Sequence, residues 1–231
     1  MKTTAENQQR TRLHLGRGRP PKRASSGVHS PDQTRTLLLK AAKKLFASRG
    51  YDGTSVKELA EEAKVNVSLV SYHFGGKEGL FRACIDQFAR SRLEVAQRLL
   101  LPPASQEEFR IRLQMFADEL LNYFVEEPEL TKIIQRECEN DWPIVEDIFQ
   151  KTLLKAFEKL VGFLAAAQKK GIVRRNLDPA TVTILIIGGM THFARTETLS
   201  KKYFDRTLGS SAYREQVRET IVSVVLNGIT R

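Results

Sequence analysis

Between Asn66 and Lys77 the chain carries a close-set group of hydrogen-bonding side chains: Asn66, Ser68, Ser71, Tyr72, His73 and Lys77. The chemistry these types supply is recognition. Short hydroxyls allow a helix to approach the floor of a nucleic-acid groove, and a phenol, an imidazole and an ammonium beside them can reach phosphate oxygens. The same residues would also suit an ordinary solvated helical hairpin. Catalytic and metal chemistry find less support. His14, His29 and His192 stand apart, without HExxH or His-x-His spacing, and Cys84 and Cys138 lack CxxC spacing. Neither an enzyme nor a cofactor or metal is expected, and the two thiols read as small hydrophobes in a reducing compartment.

Two short helices must position that polar group. Ser55-x-x-Glu58 has the spacing of a capping box, and Val56, Leu59, Ala60 and Ala63 follow at helical intervals. A second helix is expected to open at Asn66, whose side-chain oxygen can accept from exposed amides, and to stop at Gly75-Gly76. Val70 and Phe74 fall on one side of it, and Ser68, Ser71 and Tyr72 fall largely on the other. Upstream, Ser30-Pro31-Asp32-Gln33 is a strong helix start, Leu38, Ala41, Ala42, Leu45 and Phe46 keep one face apolar, and Gly50 ends the segment.

Thr54-Ser55, the turn from Ala63 to Asn66, Tyr72-His73-Phe74 and Lys77-Glu78 together resemble the DNA-binding motif of the TetR family of transcriptional regulators. The resemblance covers roughly residues 30 to 82, and the string NVSLVSYHFGGKEGL looks like one subgroup of that family. It implies an all-α chain with a three-helix helix-turn-helix domain at 30–76 and a helical ligand-binding and dimerisation domain at 77–231. Implied partners are a double-stranded DNA operator, a second copy of the chain and an unidentified small-molecule ligand, in the cytoplasm. The DNA-contacting set is then Thr54, Ser55, Asn66, Val67, Ser68, Ser71, Tyr72, His73 and Lys77. Lys64 stands where the family commonly has glycine, and Ser71 where a further tyrosine often stands. Both bear on base preference rather than fold.

Residues 1–29 have no sustained apolar period and are expected to be disordered when free. Their run Gly16-Arg17-Gly18-Arg19-Pro20-Pro21-Lys22-Arg23 resembles an AT-hook core, in which Arg17 and Arg19 would enter a narrow A·T-rich minor groove. A plain polycation that holds only phosphates is the competing reading. Charge is placed accordingly. Residues 1–80 carry 15 Lys+Arg against 7 Asp+Glu, leaving 22 against 20 for the rest, so most of the +10 total sits on the DNA-binding end. With no 18-residue apolar run and no apolar N-terminal leader, neither a membrane partner nor secretion is expected.

After the motif the sequence predicts long helices at about 78–100, 105–125, 128–140, 143–170, 178–195 and 212–227, with 196–211 a loop or short helix. Stripes such as Phe109, Leu113, Phe116, Leu120 and Phe124 serve either as core or as cavity lining. Polar residues beside them, Tyr123, Gln135, Arg136, Trp142, His192 and Arg195, are the candidates for a ligand pocket. Gly188 and Gly189 cost about 1 kcal/mol each inside a helix, which calls for a packing reason. The family resemblance supplies one, a four-helix dimer interface, here involving Val182, Gly188, Gly189, Val217, Ile221, Val224 and Val225. The expected function is a repressor released from a palindromic operator by a small molecule. The alternative is a DNA-anchored interaction protein of the nucleoid-occlusion kind, whose C-terminal domain binds a protein. A buried cavity with polar groups favours the first, a filled core the second.

Overall fold

The structure is a computed structural model describing residues 30–140 and 143–230, and among these it contains eleven α-helices. The candidate tail residues Arg17 and Arg19 and the pocket candidate Trp142 lie outside the described residues.

The first three helices form the head. α1 (Pro31–Arg49) opens with a complete capping box: Ser30 Oγ accepts from the Gln33 amide at 3.2 Å, and Gln33 Oε1 accepts from the Ser30 amide at 3.0 Å. It ends at Gly50, φ 76°. α2 (Val56–Ala63) repeats the device with Ser55 and Glu58. Lys64 then takes the left-handed conformation, φ 56° and ψ 41°, and its amide reaches back to the carbonyls of Ala60 and Glu61. α3 (Ser68–Phe74) starts two residues later than expected. Asn66 still satisfies its N-terminus, because Oδ1 accepts from the Ser68 amide at 2.9 Å and from its hydroxyl at 2.8 Å. Leu38, Ala42, Phe46, Leu59, Val70, Leu80 and Phe81 fill the space between.

α4 (Lys77–Leu99) belongs to both halves of the molecule. Leu80 and Phe81 are buried in the head, while Phe88, Ala96 and Leu99 are buried further along. Twenty-three residues rise about 34 Å. The chain then continues through α5 (Gln106–Glu126), α6 (Pro128–Glu139), α7 (Glu146–Lys151), α8 (Leu153–Lys169), α9 (Pro179–Arg195), α10 (Glu197–Phe204) and α11 (Ser211–Ile229). α4 packs against α8 and α5, α5 against α11, and α8 against α9. Phe109 and Phe163 stack across this core with centroids 4.9 Å apart.

The single helix expected at 143–170 is in fact α7 and α8. The break is Thr152, φ −130° and ψ −73°, which is buried and turns its hydroxyl onto the Ile148 carbonyl. A threonine that bonds the preceding turn carries no sequence signal of a break, since it does the same in unbroken helices. The polar stretch 196–211 holds the short helix α10.

Lys64 bears a conformational cost that glycine would not, of roughly 1–2 kcal/mol. Lys64→Gly should raise the urea midpoint, adding about 1 kcal/mol of stability after the greater freedom of glycine in the unfolded chain is allowed for. A drop in the midpoint would show that the lysine makes a compensating contact.

Candidate nucleic-acid interface

Of the expected contact residues, Ser55, Asn66, Val67, Ser68, Ser71 and Tyr72 are exposed. Tyr72 is 78% exposed, and its ring meets that of His73 edge-on at 5.0 Å. α3 thus turns Val70 inward and its short polar side outward, as a groove-reading helix must. Ser55 is occupied locally: its hydroxyl donates to Glu58 Oε2 at 2.7 Å, which together with Arg49 holds that carboxyl below the usual range.

Thr54 is corrected from contact residue to structural residue. It is buried, and its hydroxyl donates to the Gly50 carbonyl at 2.8 Å, fastening the α1–α2 loop. Lys77 is half-buried and tethered, its Nζ donating to the Tyr51 carbonyl at 3.1 Å and lying 4.1 Å from the centre of the Tyr51 ring. Two of its three donor positions remain for a phosphate. Tyr51 in turn packs on Phe46 and Phe81, whose rings meet at 5.0 Å, so the start of α4 is fixed to the end of α1.

Arg136 is likewise corrected, from pocket residue to head anchor. Its Nη1 donates to the Phe46 carbonyl at 2.9 Å and Nη2 to that of Ala47 at 3.5 Å. It therefore places a positive charge on the negative end of α1, where orphan carbonyls need donors. A Cβ on Gly50 would come within 2.9 Å of Arg136 Nη1, so this glycine provides both the positive φ and the room. Arg82 makes a second tie, donating to the Ile144 carbonyl and to both oxygens of Asp147 at 2.8 Å. Lys43 pairs with Glu127 at 2.8 Å.

The other pocket candidates separate. Tyr123 is buried and Gln135 half-buried, and each has a buried polar atom without a partner. His192 is exposed, and Arg195 makes a solvent-facing pair with Glu139 at 2.9 Å, an interaction usually worth ~0–1 kcal/mol. Grooves of about 1020 Å³ beside α1 and about 690 Å³ between α4 and α7 open on the surface, and neither is lined by these candidates. The sequence reading missed Arg92 and Glu137. Glu137 is buried with one unpartnered oxygen, and burial pushes its carboxyl up. Burial raises the Cys84 thiol to about 12, which leaves it unreactive near neutrality.

Val182 and Val217 are corrected too: both are buried within the subunit and serve its own core. Ile221 and Val225 are partly buried. Gly188, Gly189 and Val224 face solvent together with Ile184 and Leu185, the last 67% exposed. A Cβ on either glycine would meet nothing within 4 Å, so no packing inside the subunit accounts for them.

Residues 38–84 match the family described as bacterial regulatory proteins, tetR family, and residues 111–225 match a tetracyclin repressor-like C-terminal domain. The chain belongs to the TetR family. It is 33% identical over 125 residues to the probable HTH-type transcriptional regulator YttP of Bacillus subtilis, covering 53% of this chain and 58% of that one. It is 32% identical over 106 residues to the HTH-type transcriptional repressor NicS of Pseudomonas putida, covering 46% of this chain and 49% of the other. The match thus spans about half the length of these curated relatives. The fold is similar to that of HlyIIR, a hemolysin II transcriptional regulator, with a TM-score of 0.58 at 25% identity, covering 87% of this chain and 99% of that one. As in TetR-family proteins generally, the helix-turn-helix lies at the N-terminal end, here α2 and α3. Among the described residues no helix is long and apolar enough to cross a membrane.

Arg136→Met keeps the length of the side chain and removes its donors. Hydrogen bonds to a charged group are worth about 1.5–3 kcal/mol, so the melting temperature should drop by roughly 3–12 °C. An unchanged melting temperature would mean that the α1 carbonyls are satisfied equally well by water.

Proposed function

We propose that this TetR-family chain is a repressor that binds a palindromic DNA operator as a homodimer in the cytoplasm and leaves it when a small molecule binds the C-terminal domain. The observation that carries the reading is the solvent-facing polar side of α3, displayed on a head whose apolar core is complete without it. The relatives support the sign, since NicS is described as a repressor. The head would be 30–76 and the sensing and dimerising domain 77–231, with α4 running from one into the other. A ligand shifts such an equilibrium only through its difference in affinity between the DNA-competent and DNA-released forms.

Readout by α3 is limited by composition. With no arginine or glutamine and no asparagine beyond the capping Asn66, it offers few bidentate base contacts, so apolar contact of the exposed Val67 with thymine methyls must carry more of the readout. In this proposal the basic tail supplies the deficit, with Arg17 and Arg19 in an adjacent minor groove. Mapping genomic sites bound by the whole chain and by one lacking residues 1–27 tests the function directly. Operators with A·T-rich flanks should lose far more affinity than G·C-rich ones at one fixed salt concentration. Equal losses on both flanks would reduce the tail to a phosphate-binding polycation.

The dimer contact is assigned to the exposed stripe of Ile184, Leu185, Gly188, Gly189 and Val224, where the glycines let two copies approach closely. Val224→Arg should then sediment as a folded monomer that binds operator weakly. A folded dimer would move the interface elsewhere.

A further inference from the structure

Leaving a buried polar atom unpaired costs about 1–3 kcal/mol, so native proteins rarely do it without a use. Five buried side-chain atoms among the described residues lack a partner: Arg92 Nε, Tyr123 Oη, Gln135 Nε2, Glu137 Oε2 and Arg218 Nε. Arg218 is compensated, because Asp118 holds its guanidinium at 3.0 Å. Arg92 and Tyr123 are not, and they face each other. The guanidinium carbon of Arg92, on α4, lies 4.3 Å from the centre of the Tyr123 ring on α5 and 5.9 Å from that of Phe88.

Arginines nearby on these helices each hold a carboxylate: Arg90 with Asp86, Arg98 with Glu119, Arg112 with Glu108. Arg92 holds none among the described residues. Its Nη1 makes a long bond to the Glu119 carbonyl, 3.3 Å, and its Nη2 reaches the Ser91 hydroxyl at 3.1 Å. Tyr123 is only 7% exposed, with its hydroxyl unanswered. Both groups show the strain of this setting, for burial draws the guanidinium below its ordinary value and pushes the phenol up, the latter reinforced by Glu127.

We infer that Arg92 and Tyr123 form a subsite for the carboxylate of a small monoanionic ligand with an apolar body. The inference rests on the sensor reading above and names the ligand class. The Nε and Nη donors of Arg92 form a planar fork that matches two carboxylate oxygens, and the Tyr123 hydroxyl supplies a further donor. One negative charge is the right number. Glu119 and Glu126 already act on Arg92, and Glu127 on Tyr123, so a phosphate dianion would be undercompensated. The body of the ligand meets Phe88, whose ring lies 4.7 Å from that of Tyr123. The guanidinium rests on the Tyr123 ring and occupies this place. Arg92 is half-buried and reaches the surface, so its long side chain can lift to admit the acid.

The test uses the whole chain, with hexanoate and phenylacetate as probes, hexanamide and phenylacetamide as their neutral counterparts, and hexyl phosphate as the dianion. At saturation one of the acids should raise the melting temperature by about 3 °C or more, and neither the amides nor the phosphate should. Arg92→Met and Tyr123→Phe should abolish the response, and Tyr123→Phe, which removes only an unpaired buried hydroxyl, should leave the melting temperature without ligand unchanged or higher. A loss of several degrees in both variants without ligand would make the pair structural and overturn the assignment. So would equal responses to acid and amide, a phosphate response as large as the acid's, or no response to either acid. Operator binding by the unliganded variants is measured in parallel. If the parent chain binds operator but responds to neither acid, the carboxylate assignment alone fails. If the parent chain binds no operator, the repressor reading fails.

Discussion

The end of α1 is fastened to α6 by one arginine, and the placing of the head depends on that joint. Arg136 donates to two carbonyls of the last turn of α1, that of Phe46, which also accepts from the Gly50 amide, and that of Ala47, and Gly50 gives the chain a turn that makes room for it. The end of α1 also carries Phe46, which packs with Tyr51 and Phe81 and so fixes where α4 begins. Anything that displaces α6 therefore pulls on α1 and, through the aromatic group, on the base of α4. The direction in which α3 presents its outer side depends on that joint. Lys43 with Glu127 and Arg82 with Asp147 add ties at other points, but both involve exposed or half-exposed groups whose net worth is smaller.

Such a joint suits a protein with two affinities to couple. α4 links the two halves as one continuous helix, so the head cannot rotate freely with respect to the domain behind it. The domain behind it is well packed yet leaves polar atoms unanswered at Arg92, Tyr123, Gln135 and Glu137. A filled apolar core would be more stable without them. Their retention is the observation on which the proposed sensing role rests, whereas the close packing of the rest of the core is what the interaction-protein alternative calls for.

Much of the architecture was legible in the residues because helix ends are written locally. Ser30 with Gln33 and Ser55 with Glu58 close complete capping boxes, and Ser105 and Asp178 cap their helices, although Glu108 turns to the Ala104 amide instead of closing a third box. The break at Thr152 was not legible, for nothing in its neighbours differs from an uninterrupted helix. Thr54, Arg136, Val182 and Val217 were misassigned for a common reason. Residue type tells what a side chain can do, but burial and partner depend on which distant segment arrives beside it, as Phe46 and Ala47 arrive beside Arg136 across some 90 residues. Arg92 was passed over because arginine on a helix surface is ordinary. Only the arrival of Tyr123 from α5 shows that it lacks a counter-charge.

The central claim is that the outer side of α3 reads a specific DNA sequence. Selection of the purified chain on random duplexes, with sequencing of the bound fraction over successive rounds, tests it most directly. The account predicts enrichment of a two-fold symmetric consensus with A·T pairs in the half-sites, where apolar side chains can meet thymine methyls. Enrichment of no sequence above the starting pool, with binding that depends only on salt, would contradict it.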